Sequence, residues 1–135
     1  MLETKTVSEI INHLRSKDLS IKEVIEYYLN NIEKLNPKLN SIISFKNKNQ
    51  IIKEAEKKSN TKFCGLPIAI KDLSDVVGFP TTYGYPGTKN YNPKKNSFFV
   101  DKLLEAGITI IGKTNTAELG VCLLYTSDAA DDDAC

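Results

Sequence analysis

At 135 residues the chain is the size of one domain or a piece of one, and it is long enough to bury an ordinary core. Its 41% hydrophobic and 26% charged residues are those of a soluble globular protein, and no run approaches the length of a membrane span. The positive charge is nearly all lysine, with Arg15 the only arginine, and it is scattered rather than striped, which argues against nucleic-acid binding.

Thr6-Val7-Ser8-Glu9 has the form of a capping box, and Val7, Ile10, Ile11 and Leu14 then recur at helical spacing, so a short amphipathic helix is predicted. Ser20-Ile21-Lys22-Glu23 is a second box. Val24, Tyr28, Ile32 and Leu35 follow down one face until Asn36-Pro37, where the missing proline N–H is expected to stop the helix. Together the two helices make a hairpin whose Glu and Lys side chains read as a solvated surface. Leu39 to Phe45 is predicted as a short strand, and Gln50 to Lys58 as a charged surface helix.

Gly65-Leu66-Pro67 opens an apolar run, Leu66 to Ile70, that suits a buried strand; a proline at its start is tolerated because the ladder there can spare a donor. Residues 76–93 include Gly78, Pro80, Gly84, Pro86, Gly87 and Pro93 and are predicted as a long irregular connection, a kind of loop that is often functional. Phe98 to Ala106 reads as a helix with Phe99, Leu103 and Ala106 on one side and Gly107 as its left-handed cap. Ile108 to Ile111 is a β-branched run and the next buried strand, after which Thr114 and Glu118 suggest the cap of a further helix. Strand, long loop, helix, strand is a crossover unit of parallel sheet.

Residues 122–135 break with everything before them: they contain no lysine, asparagine or isoleucine. The string resembles a translated sequencing adapter read through from the end of an assembled fragment, so the native segment is expected to end near Val121. Without the four aspartates of this tail, 18 basic residues face 13 acids, a formal charge of +5 rather than +1. Cys122 and Cys135 also drop out, leaving Cys64 alone, so neither a disulfide framework nor a cysteine metal cluster is expected.

Two motifs carry chemistry. Gly107-Ile108-Thr109-Ile110-Ile111-Gly112-Lys113-Thr114 matches the phosphate-loop pattern letter for letter, but its four central residues are strand formers where such a loop needs turned backbone amides. A nucleotide-binding module is therefore disfavoured. Lys71 ends the apolar strand, where α/β proteins place their sites. A free lysine has a pKa near 10.4 and is neutral in about one molecule in a few thousand at pH 7, so burial or a nearby cation must lower that value before it can act as a base. Asp72 is adjacent, but successive strand residues face opposite sides, so it need not hold Lys71 charged. His13, the only histidine, falls on or beside a helix face, and a serine–histidine triad is not expected.

Gly65 to Asp72, Gly78-Phe79-Pro80-Thr81-Thr82, Leu103-Leu104-Glu105-Ala106-Gly107 and Gly112-Lys113-Thr114-Asn115 occur in an order and spacing that resemble the amidase signature family; so does the opening hairpin down to Asn40. The resemblance covers residues 5–120. It implies an α/β fold in which a helical hairpin precedes part of a mixed, mainly parallel sheet flanked by helices, with residues 1–121 the N-terminal portion of the amidase domain. It also implies amide hydrolysis by a serine nucleophile, a second serine on a cis peptide bond, and a lysine base that corresponds to Lys71.

No metal or organic cofactor is implied, no membrane, and no partner beyond a small-molecule amide substrate. Met1 to Lys5 does not open a signal peptide, and a cytoplasmic location is expected. Both serines of the family lie in a glycine- and serine-rich stretch downstream of Asn115, and Ser127 has unsuitable neighbours, so this chain alone is expected to be inactive. Asp72-Leu73 and Lys113-Thr114-Asn115-Thr116 resemble general amidases. Within the family, the alternative is the glutamine-hydrolysing A component of glutamyl-tRNA(Gln) amidotransferase, which works with partner subunits. A non-catalytic helical-hairpin interaction fragment is the reading from another class.

Overall fold

In a computed structural model of the chain, residues 2–121 are described. Helices α1 (Val7–Ser16) and α2 (Ile21–Leu39) lead into strand β1 (Ile42–Phe45), helix α3 (Lys48–Glu56) and strand β2 (Pro67–Lys71); helix α4 (Phe98–Glu105) and strand β3 (Thr109–Thr114) follow. The sheet order is β1-β3-β2, with β2 parallel and β1 antiparallel to β3. This is the predicted mixed α/β arrangement.

Both capping boxes form. Thr6 and Ser20 accept from the backbone N–H of Glu9 and Glu23, and each glutamate reaches back to the cap N–H at 2.6 and 2.8 Å. The predicted stop at Asn36-Pro37 is corrected: α2 runs through Pro37 to Leu39, and Asn40 caps it at φ 47° with its N–H on the Asn36 carbonyl. Proline here removes only the bond to the Glu33 carbonyl, and both residues are exposed, so water can serve that carbonyl. The Asn36 side chain then bonds both backbone groups of Ile42 at 2.8 Å, so the strand begins there rather than at Leu39.

Helix α3 starts two residues earlier than predicted and is no mere surface helix. Its Ile51, Ile52 and Ala55 are buried with Ile25 of α2 and Ile111 of β3 on one face of the sheet. On the other face Ile70, Val76, Phe79, Val100 and Ile110 form a second cluster, and Ile10, Val24, Leu66 and Ile108 join the hairpin to the sheet in a third. Each fully buried aliphatic or aromatic side chain contributes about 1.5–3 kcal/mol. On α4, Val100 is buried and Leu103 packs against the core, whereas Phe99 is 58% exposed. Gly107 has φ 94°, and a Cβ there would meet the Thr61 side chain, so the turn from α4 into β3 requires glycine.

Candidate active site

β3 extends three residues beyond its predicted end and takes in Gly112, Lys113 and Thr114. Pairing with β2 runs Ile68 to Ile110 and then Ala69 to Gly112, so Ile111 is the extra residue of a β-bulge. In a regular strand Ile110 and Lys113 would face opposite sides of the sheet. The bulge puts them on the same side: Ile110 packs with Phe79, and the Lys113 ammonium reaches the Ser74 and Pro80 carbonyls and the Thr81 hydroxyl. Gly112 has no side chain because a Cβ there would lie 2.6 Å from the Ser44 carbonyl oxygen of β1.

Lys71 and Asp72 part at the end of β2. Lys71 is exposed, whereas Asp72 is completely buried. The Asp72 backbone N–H donates to the Thr114 carbonyl, and its carbonyl accepts from Tyr83 N–H. One carboxylate oxygen accepts from the backbone N–H and the hydroxyl of Thr82, and the other is 3.0 Å from Lys113 Nζ. Lys113 is also fully buried, so the pair is screened from water on both sides. Lys71 and Asp72 thus face different surroundings, as strand alternation predicts, and the partner of Asp72 is Lys113.

This arrangement removes the phosphate-loop reading of Gly107 to Thr114. Gly107 is the helix-terminal turn, Thr109 to Thr114 is strand, and the lysine that would hold a phosphate is bonded inward. Lys113 is the residue that sequence reasoning undervalued. Strict alternation would set it on the side opposite Ile110, and nothing local in the sequence announces the bulge.

The connection from β2 to α4 is irregular, as predicted, apart from a short 3₁₀ turn at Pro86–Thr88. It folds back over the strand ends. Asp75 accepts from the Tyr83 and Tyr91 hydroxyls at 3.2 Å, and burial followed by the nearby Asp75 charge pushes the Tyr83 phenol above its ordinary value. Tyr83 also holds the chain leaving β3, its carbonyl accepting from Leu119 N–H at 2.6 Å. The expected helix cap at Thr114 and Glu118 is corrected to a 3₁₀ turn, Glu118–Gly120, whose preceding residue Ala117 offers no side-chain oxygen. Two clefts among the described residues lie elsewhere: one of 810 Å³ beside Arg15, Lys17 and Lys62, and one of 620 Å³ beside Leu29, Ile32 and Phe45. Neither includes Lys71. Among the described residues no cluster of metal-ligating side chains is present, and no helix is long and apolar enough to cross a membrane. Ser127 lies outside the described residues.

A parallel β-α-β unit with a lysine at the C-terminal end of its first strand defines an α/β protein whose candidate site is at the strand ends. The family model described as Amidase matches residues 23–128. The glutamyl-tRNA(Gln) amidotransferase A component of Thermoanaerobacter pseudethanolicus is 33% identical over 126 residues, which cover 89% of this chain and 26% of that protein. The acylamidase of Rhodococcus erythropolis is 32% identical over 123 residues, 85% of this chain and 26% of that one. Among solved structures, 6-aminohexanoate cyclic dimer hydrolase complexed with substrate aligns with a TM-score of 0.77 at 26% identity, over 85% of this chain and 24% of its own. Peptide amidase from Stenotrophomonas maltophilia shares the fold at a TM-score of 0.78 and 21% identity, over 87% of this chain and 26% of its own. The chain belongs to the amidase family. It spans about a quarter of the length of the curated relatives it matches.

Proposed function

We propose that residues 1–121 are the N-terminal portion of an amide hydrolase in which Lys71 is the general base of a Ser–cisSer–Lys triad. In this reading neutral Lys71 withdraws a proton through the bridging cis serine, the nucleophilic serine attacks the amide carbonyl, ammonia or an amine leaves, and water releases the acyl group as a carboxylic acid. Backbone amides hold the oxyanion. Both serines belong to sequence beyond Asn115, and the 122–135 segment is read as adapter-derived rather than native. One observation carries the proposal. Lys71 ends a parallel strand while the carboxylate beside it is committed to Lys113, and in this reading the burial that a neutral lysine requires comes from the sequence beyond Asn115.

The test is ammonia release from simple primary amides. The intact protein that carries this chain is expected to turn them over, and Lys71→Ala is expected to lower kcat by about 10²–10⁴-fold. Turnover that survives Lys71→Ala would refute the assignment. The 135-residue chain itself is expected to release no ammonia; release abolished by Lys71→Ala would refute the absence of a nucleophile.

A second reading has specific support: the relative at 33% identity is part of an amidotransferase, and the acylamidase at 32% does not outrank it. In that case the amide is glutamine, and the ammonia passes to misacylated tRNA with the help of partner subunits. Asp72-Leu73 and Thr116 favour the general amidase. Glutamine hydrolysis that requires a co-expressed partner protein would reverse the preference.

A further inference from the structure

We propose that Asp72 and Lys113 are positioning residues for Lys71: a buried, mutually neutralising pair that anchors the backbone carrying Lys71 and keeps the adjacent carboxylate from engaging its ammonium. The inference rests on the reading of Lys71 as the base.

A carboxylate next in sequence to a lysine base is a hazard, because an anion within reach stabilises the charged form of the amine and removes the base. Here every polar atom of Asp72 has another commitment. Its backbone is tied to Thr114 and Tyr83, one carboxylate oxygen takes both donors of Thr82, and the other faces Lys113. Lys113 in turn donates to the Ser74 and Pro80 carbonyls and the Thr81 hydroxyl, and its ammonium pairs with the second Asp72 oxygen by charge, at 3.0 Å. Ser74 and Thr81 lie in the long loop, so one ammonium ties together the strand end, the start of that loop and its return. Neither ion is tolerable in the interior without the other. The bulge at Ile111 aims Lys113 at this point, and Gly112 admits β1 beside it.

The experiment is pulse acylation of the intact protein with acetic anhydride at pH 9. Labelling of each lysine is read by peptide mass spectrometry and scaled to exposed Lys94. In the unmodified sequence Lys71 should label and Lys113 should not. Lys113→Met leaves the Asp72 charge uncancelled and should slow Lys71 labelling by about three- to tenfold. The double variant Asp72→Asn with Lys113→Met removes both charges and should restore the rate to within about twofold.

A merely structural role predicts otherwise, because the double variant loses the same hydrogen bonds and would not recover. If Lys113→Met does not fold, Lys113→Gln retains donors toward Ser74 and Thr81 without the charge and replaces it in both arms. An unchanged Lys71 rate, or a slowing that persists in the double variant, overturns the proposal. The two readings fail separately. Amide turnover that survives Lys71→Ala sinks the base assignment and leaves the labelling result standing, whereas unmoved labelling sinks the pair whatever the enzyme turns over.

Discussion

Lys71 and Lys113 sit at the ends of adjacent parallel strands, one step apart in register, since Lys113 pairs with Ile70 and Thr114 with Lys71. One is exposed and the other has no accessible surface. The residue type is the same and the strands are neighbours, so neither composition nor local hydrophobicity decides which lysine is available for chemistry. The difference comes from the pleat. β2 reaches Lys71 in step with its pairing, whereas β3 gains one residue at Ile111 and turns Lys113 toward the loop and Asp72. Availability of a side chain at a strand end is thus set by register as much as by sequence.

The largest expected effects separate the two lysines completely. In the intact protein Lys71→Ala should lower amide turnover by about 10²–10⁴-fold and leave stability within about 0.5 kcal/mol, because its side chain is exposed. Lys113→Met should do the reverse to stability, at a cost of about 3–5 kcal/mol, because Asp72 is left buried without its counter-ion. Chemical denaturation of both variants checks this. Equal stability losses would erase the distinction.

The sequence made some of this contrast legible and hid the rest for a physical reason. Helical spacing and two capping boxes located α1 and the start of α2, and the apolar run to Ile70 located β2, because those signals are local. Pro37 misled because its cost depends on what lies four residues earlier, and that residue, Glu33, is exposed. The inward face of α4 was not legible because such a face is defined by its neighbours, and Val100 rather than Phe99 meets Phe79 and Ile110. Gly112-Lys113-Thr114-Asn115 was visible as a motif but not as a set of structural roles. Each role depends on a distant partner: Ser44 for Gly112, Asp72 for Lys113, the backbone of Asp72 for Thr114 and that of Ser41 for Asn115.

Gly112→Ala sharpens the comparison from the side of the bulge. A Cβ 2.6 Å from the Ser44 carbonyl oxygen and 2.9 Å from the Ile42 side chain meets backbone that cannot yield cheaply. The expected cost is about 1–3 kcal/mol, as for an overpacked core. Because β1 would be displaced from β3, Lys113 should become partly accessible and begin to acylate. A destabilised variant whose Lys113 stays unlabelled would mean that the pair holds its position without β1.

The smallest effect serves as the control. The cap of α2 lies away from both lysines, so Ser20→Ala should cost about 1 kcal/mol without moving Lys71 labelling. It also carries a pH signature. The Ser20 side chain, and then its backbone N–H, hold the Glu23 carboxyl below its ordinary value of 4.5 in the folded protein. A depressed folded value gives stability that is fully present above the unfolded value and disappears as pH falls through the folded one. Thermal midpoints of the unmodified and Ser20→Ala proteins should therefore differ most at neutral pH, and the gap should narrow as pH falls through the lowered Glu23 value. A gap that stays constant down to pH 3 would show that the cap acts through the serine oxygen alone, with no contribution from the Glu23 charge.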